Sequence, residues 1–113
     1  MSDQVFPNYI DVTIANGQTD SDWIALKGRQ LVAVVFPATL TGTSLKFLGR
    51  VDGGNGNLIA QKNSSTDYST TFAASEWVPI DLDVFCGVAD LKLRSSTSEG
   101  GARTIRLITR PLS

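Results

Sequence analysis

The sequence predicts an all-β fold, an antiparallel β-sandwich of eight to nine short strands with jelly-roll or related Greek-key connections. Three observations lead to this prediction. Apolar and polar residues alternate with a period of two in several segments, which is typical of strands with one buried and one solvated face. Residues that favour turns separate these segments at short, fairly regular intervals. No segment sustains the periodicity of an amphipathic helix.

Three strands are predicted before residue 37. Residues 10–14 alternate between apolar and polar, and the turn-forming pair Asn16-Gly17 follows them. A short strand is predicted at 23–26. Residues 31–36 (LVAVVF) are apolar at every position, which indicates a central strand covered on both faces, or one whose outer face meets a partner. Pro37 lacks a backbone donor and ends this strand.

The next predicted elements are a hairpin and two further strands. Residues 45–51 alternate again, and DGGNGN at 52–57 is the strongest turn signal in the chain. It is interpreted as a hairpin turn and not as a calcium loop, since strands and not helices flank it. Residues 58–59 then begin the return strand. Further strands are predicted at 69–72 and 77–80.

The C-terminal part is predicted to hold a short turn and the last two strands. Residues 81–87 form one helical or 3₁₀ turn in this prediction and carry Val84 and Phe85 into the core. Alternating strands follow around 91–94 and 104–107, with Leu or Ile on one face and Lys, Arg or Thr on the other. We expect the domain to be complete by about residue 112.

A chain of 113 residues fits one domain of ordinary size. We predict a single β-sandwich domain over residues 10–113 and a short N-terminal arm over residues 1–9, which Pro7 and Asn8 separate from the first strand. The arm lacks the basic and apolar regions of a signal peptide. No apolar run approaches the ~18–20 residues of a membrane span, so no membrane partner is expected.

The charge pattern argues against a nucleic-acid partner. Charged residues make up 19% of the chain, below the ~25% of an average soluble domain, and the net charge is −1. Acidic and basic residues are interspersed, without the clustered basic face that nucleic-acid binding calls for. With a net charge this small, copies of the chain repel one another only weakly, so charge does not oppose assembly into oligomers.

The sequence carries no recognisable catalytic chemistry. It has no histidine, which removes Ser-His-Asp and Cys-His catalysis and His-ligated zinc. Its single cysteine, Cys86, lies in an apolar segment and is interpreted as buried and unreactive. The pairs Asp20/Asp22 and Asp81/Asp83 lie at element boundaries, where Asp commonly caps a helix or satisfies a turn. We therefore expect neither an enzyme nor a cofactor, and we identify no metal-site residues; the sequence leaves open whether a metal ion is bound.

Aromatic and arginine residues remain as candidates for a binding surface. Trp23 and Trp77 lie inside short apolar strands, so we expect them in the core or at its rim rather than stacked on a sugar ring. Tyr68, in a polar loop, is the best candidate for a solvated aromatic. On the outward faces of the last strands, a local basic stripe is predicted, either a solvated face or an interface, formed by Arg94, Arg106 and Arg110.

Several segments, in their order and spacing, also carry a resemblance. They are IANGQ at 14–18, the apolar strand ending in Pro37, the Asp-Gly turn at 52–53, the Phe-x-Gly turn at 85–87, LKLRS at 91–95 and RTIRLITRPL at 103–112. Over roughly residues 14–112, the chain resembles a widespread family of small virion proteins of tailed bacteriophages. It departs from that pattern in a shorter loop at 95–102 and in Cys86, where a small residue is expected.

The resemblance implies a structural protein without catalysis or cofactor, made in the bacterial host cytoplasm and located in the virion. It favours a capsid decoration (cement) protein that binds the outside of the head and bridges major capsid subunits. The implied partners are the major capsid protein or other virion proteins and further copies of the chain, a trimer being one form. Alternatives are a tail, baseplate or fibre adaptor, and a carbohydrate-binding module that uses Trp23, Tyr68 or Trp77. The candidate interface residues are Val5, Phe6, Tyr9, Arg94, Arg106 and Arg110.

Overall fold

A computed structural model describes residues 9–50, 56–61, 64–81, 85 and 88–111. Nine β-strands form two antiparallel sheets within these residues. The strands are β1 (Tyr9–Ile14), β2 (Ile24–Ala25), β3 (Arg29–Val35), β4 (Ser44–Arg50), β5 (Asn57–Leu58), β6 (Ser69–Thr71), β7 (Trp77–Pro79), β8 (Asp90–Ser95) and β9 (Arg103–Pro111). The predicted all-β sandwich is therefore confirmed.

The strand order is that of a jelly roll. Sheet A has the order β1-β9-β3-β7, and sheet B has the order β2-β8-β4, with β5 and β6 both paired to the far edge of β4. The pairs β1 with β9, β2 with β8, β3 with β7 and β4 with β6 are nested along the chain. Nested antiparallel pairs arise when one long hairpin rolls up into two facing sheets, which is the jelly-roll arrangement.

The core lies between the sheets and follows the period-two pattern. In β8 the buried side chains are those of Leu91, Leu93 and Ser95, and in β9 they include Ile105 and Leu107. These alternate with polar residues that face outward, because successive side chains of a strand point to opposite faces. Burial of this continuous apolar layer stabilises the sandwich by the hydrophobic effect.

Most predicted strands are confirmed with small shifts at their ends. The hairpin is present, since Leu48 of β4 pairs with Leu58 of β5, although residues 51–55 of its turn lie outside the described part. The strand predicted at 23–26 is reduced to Ile24–Ala25. Tyr9 belongs to β1, so the last residue of the predicted arm is part of the sheet.

An aromatic cluster in the core corrects the expectation for Tyr68. Phe85 is buried as predicted, and its ring packs edge-on against Phe47 at 4.9 Å between centroids. Tyr68 joins both rings, at 5.9 Å from Phe47 and 5.5 Å from Phe85. Its hydroxyl accepts a hydrogen bond from the N–H of Asp81 at 3.2 Å. Tyr68 is therefore a core aromatic with a polar tip at the rim, and the prediction of a solvated ring was wrong.

The carboxylate of Glu99 holds the loops at one end of the sandwich. It accepts hydrogen bonds from the N–H groups of Thr41 (2.7 Å) and Gly42 (2.9 Å) in the β3–β4 loop. It also accepts bonds from Ser95 Oγ (2.6 Å) and Arg103 Nε (3.1 Å), and its side chain is fully buried. A buried charge is tolerated only when it is paired and hydrogen-bonded, and here both conditions are met.

The backbone of Glu99 extends this contact to the β1–β2 loop. Its N–H donates to the carbonyl of Gln18 at 3.0 Å, and its carbonyl accepts from Gly17 N–H at 2.8 Å. Burial by itself raises the pKa of Glu99, but the hydrogen bonds to its carboxylate outweigh burial and lower the pKa to about 2. Glu99, in the β8–β9 loop, thus binds the β3–β4 loop through its ionised side chain and the β1–β2 loop through its backbone.

Candidate protein-contact surface

The pairing register places eight residues in two rows on the outer face of sheet A. One row crosses the strands through Asp11, Arg106, Val35 and Trp77, and the next crosses through Tyr9, Ile108, Ala33 and Pro79. The residues between these rows along the strands point into the core, as expected for a pleated sheet. Burial alternates along β1 and β7, and residues 31–35 of β3 are apolar on both faces, so apolar side chains also reach the outer face of sheet A.

Six of these residues form one apolar strip across all four strands, and it is named the apolar strip below. Its members are Tyr9, Ala33, Val35, Trp77, Pro79 and Ile108. Trp77 is 62% exposed and Tyr9 is 45% exposed. Three strand spacings of about 4.8 Å make the strip about 14 Å wide. Pro79 is also exposed, Val35 and Ile108 are half-buried, Ala33 is buried, and Arg106 covers one face of the Tyr9 ring.

Charged and polar side chains border the apolar strip. Arg106 donates two hydrogen bonds to the carboxylate of Asp11, at 2.8 and 3.1 Å, and stacks over the ring of Tyr9 at 4.0 Å. The hydrogen bonds from Arg106 lower the pKa of Asp11, so this carboxylate is ionised at neutral pH. Arg110 donates from Nε and Nη2 to Gln30 Oε1, at 3.3 and 3.1 Å. The partner of Arg110 is thus a neutral amide oxygen.

The outer face of sheet B is polar and internally paired. Its ion pairs join Arg94 to Asp20 at 2.9 Å, Lys46 to Asp67 at 3.1 Å and Arg50 to Asp90 at 3.0 Å. Covering this face would remove several charges from water, which costs more than covering apolar surface.

Trp23 lies among these charges at the rim, as predicted, and does not offer an open ring. The guanidinium of Arg50 lies 4.4 Å and the ammonium of Lys92 lies 4.9 Å from its ring centroid. The edge of the indole closely approaches Gly56, where a Cβ would overlap Trp23 Cη2 and Cζ2. Cations occupy the positions that a stacked sugar ring would need.

The structure brings together three of the six predicted interface residues. Tyr9, Arg106 and Arg110 share the outer face of sheet A. Arg94 lies on sheet B, so the predicted basic stripe is wrong, because β8 and β9 belong to different sheets. Val5 and Phe6 lie outside the described residues.

Sequence reasoning missed the most exposed part of this surface. Trp77 was expected in the core or at its rim, and that prediction was wrong because its pairing with Val35 turns it outward. The available signal was the strand LVAVVF, which is apolar on both faces although only one face of sheet A meets the core.

Among the candidate acidic residues, Asp20 forms an ion pair, Asp22 is exposed and the N–H of Asp81 donates to the hydroxyl of Tyr68. The carboxylate of Asp20 binds the guanidinium of Arg94 instead of capping a turn, and this hydrogen bonding lowers the pKa of Asp20. Cys86 and Asp83 lie outside the described residues. Within the described part of the chain, no three His, Cys, Asp or Glu side chains are grouped to hold a metal ion. The same part contains no helix long and apolar enough to span a membrane.

Comparisons of the chain with models of known protein families, with curated proteins and with solved structures give no significant match.

Proposed function

We propose that this protein is a non-enzymatic structural protein of a tailed-phage particle, and specifically a capsid decoration protein. In this proposal it binds the outside of the head and stabilises contacts between major capsid subunits. The single observation that supports the proposal beyond the resemblance is the apolar strip, in which Trp77 is the most exposed large side chain.

The composition of the apolar strip favours a protein partner. Exposed apolar patches on a folded domain commonly mark interaction sites. Trp, Tyr and Arg dominate the binding energy of protein interfaces, and Trp77, Tyr9 and Arg106 all lie on the outer face of sheet A, Tyr9 and Arg106 in contact and Trp77 at the opposite edge. The aliphatic members of the strip, Val35 and Ile108, add area that a protein side chain can pack against.

The rigid body suits a purely mechanical role. The strip lies on a four-stranded sheet whose inner face is part of the core, and Glu99 fastens the loops at one end. A preorganised surface binds without the entropic cost of ordering it. Many copies on a capsid lattice would add their modest contacts through avidity.

Two other functions remain as alternatives, and one observation bears on each. A tail, baseplate or fibre adaptor would use the same contact surface at another place in the particle. A carbohydrate-binding module is favoured by the exposed ring of Trp77 alone, since Trp23 is covered by cations and Tyr68 packs in the core.

Binding to phage heads tests the proposal. Heads that lack decoration are mixed with the purified protein, and the bound fraction is measured by sedimentation and located by cryo-electron microscopy. Trp77→Ala is expected to weaken binding by roughly 30-fold, since loss of an interface anchor costs about 2 kcal/mol. Lys27→Glu, an exposed loop substitution, should bind like the wild type. No binding by the wild type rejects the decoration role, density on the tail supports the adaptor, and a positive glycan array supports the carbohydrate module.

A further inference from the structure

We propose that the apolar strip is the interface of a two-fold symmetric dimer of this chain, in which Arg110 of each copy binds Asp11 of the other. This goes beyond the proposed function, because it assigns the outer face of sheet A to contact between copies. In the dimer the head would be bound by other surfaces, and Trp77→Ala would weaken head binding by separating the two copies, because a dimer that binds the lattice at two points gains avidity.

The first argument is charge. A two-fold interface uses the same patch on both copies, so the patch must carry both members of each contact. The outer face of sheet A carries a cation, Arg110, whose hydrogen bonds go to the neutral oxygen of Gln30. It also carries the carboxylate of Asp11, which accepts two bonds from Arg106 and has acceptor capacity for further donors.

The second argument is position. Asp11 pairs with Arg106, and Arg110 lies four residues further along the neighbouring strand β9. With about 4.8 Å between strands and about 3.4 Å per residue, the Cα atoms of Asp11 and Arg110 are about 14 Å apart. A two-fold axis in the plane of the face, perpendicular to this line at its midpoint, exchanges the two positions. That midpoint lies beside the pair Tyr9 and Ile108.

The same axis brings the apolar residues of the two copies together. When the strand register is drawn as a flat lattice, this two-fold axis crosses sheet A and passes between Trp77 and Pro79 on β7. The positions of Trp77 in the two copies then lie about 5 Å apart in the plane of the face, and Val35 faces the space between Ala33 and Pro79 of the other copy. A single two-fold axis therefore places Arg110 of each copy at Asp11 of the other and also brings the two apolar strips together.

The third argument is the angle between the sheets. On the same lattice, the strands of the two copies cross at about 40°, close to the ~30° of aligned sheet packing. The charge pairing alone defines this axis, and the size of the resulting angle lies near that of aligned sheet packing. Covering the outer face of sheet B instead would desolvate its three ion pairs.

A charge-swap experiment on the full chain tests the dimer. Sedimentation equilibrium is expected to show a dimer for the wild type. Arg110→Glu places a carboxylate against Asp11 of the other copy at each of the two contacts, and Asp11→Lys places an ammonium against Arg110, so each is expected to weaken dimerisation roughly 100-fold. An equal mixture of the two variants should dimerise again, because both contacts of the mixed dimer join opposite charges.

Control variants and thermal melts distinguish loss of the dimer contact from unfolding of the chain. Lys27→Glu makes the same charge change as Arg110→Glu in an exposed loop and should remain dimeric. Thermal melts by circular dichroism show whether Asp11→Lys, which also loses its bonds from Arg106, stays folded. Trp77→Ala should weaken the dimer without weakening the fold.

Four results would overturn the dimer: a wild type that is monomeric up to its solubility limit, a trimer, single variants that associate like the wild type, or a mixture that stays monomeric. The proposed function is judged separately. Dimers that fail to bind heads reject the decoration role alone, and heads that bind a monomeric wild type reject the dimer alone.

Discussion

Replacing Glu99 by glutamine should remove a large part of the stability of this domain. The substitution keeps the shape of the side chain and removes its charge. The carboxylate now accepts four hydrogen bonds, from Thr41 and Gly42 N–H, Ser95 Oγ and Arg103 Nε. A glutamine amide has one oxygen, and its NH₂ group would point at groups that are themselves donors. Buried donors would lose their acceptor, and each such loss is costly.

The pKa of Glu99 sets the expected magnitude. Lowering it from 4.5 to about 2 means that the surroundings favour the carboxylate over the neutral acid by about 3 kcal/mol. Since the amide is neutral and also carries unwanted donors, Glu99→Gln should cost about 3 kcal/mol or slightly more. This is a large fraction of the about 5–15 kcal/mol that holds a typical domain together.

Urea denaturation followed by circular dichroism measures this change, with wild type and variant at the same protein concentration. Glu76→Gln is the matched control, because Glu76 is exposed and the chemical change is identical. A loss below about 1 kcal/mol for Glu99→Gln, or an equal loss for both variants, would refute the reasoning.

The same group predicts a dependence of stability on pH. The pKa of Glu99 is lower in the folded chain, at about 2, than its ordinary value of 4.5. Its contribution is therefore complete above pH 4.5 and is lost as the pH falls towards 2. In Glu99→Gln this part of the acid sensitivity should be absent, which a series of denaturation curves between these pH values checks.

Two further predictions concern the loop end and the exposed tryptophan. Gly42→Ala should lower the free energy of unfolding by about 1–3 kcal/mol, because the added Cβ would overlap Ser95 Oγ. Gly100→Ala is the control, since its Cβ would meet only Thr41 Oγ1 at 3.5 Å and stability should hardly change. Thermal melts that show an equal loss of stability in both variants would contradict this. In the Arg110→Glu background, where the chain is expected to be monomeric, Trp77→Phe should lower the acrylamide quenching of tryptophan fluorescence, because Trp77 is 62% exposed in the single chain and the remaining Trp23 is half-buried. Unchanged quenching after this substitution would mean that Trp77 is covered in solution.

The local part of this fold could be predicted from the chain because period-two alternation is a local property. The alternation predicted that Ile105 and Leu107 point into the core and that Arg106 points to solvent, and the structure agrees. The turn at 52–57 marked the hairpin between β4 and β5. The inward position of Phe85 followed from its apolar neighbourhood.

The candidate surface could be predicted only in part, since its members come from four strands that are distant in sequence. The unbroken apolar pattern of β3 indicated a second apolar face, and it could not show which residues lie beside it. Pairing of Val35 with both Arg106 and Trp77 places residues from three parts of the chain in one row. Arg94 and Arg106, with similar local patterns, end on different sheets for the same reason.

The sequence by itself determined the approximate positions of most strands, the inner and outer face of those that alternate, such as β1, β8 and β9, and the absence of histidine chemistry, because these depend on residue type and on the alternation of neighbours. The tertiary structure decided which strands are adjacent, and with them the exposure of Trp77 and the burial of Glu99. Both outcomes depend on residues dozens of positions away. Glu99 is stabilised by amides of the β3–β4 loop that no neighbouring residue supplies. Pairing across sheets and loops is a property of the whole chain, and the local pattern does not encode it.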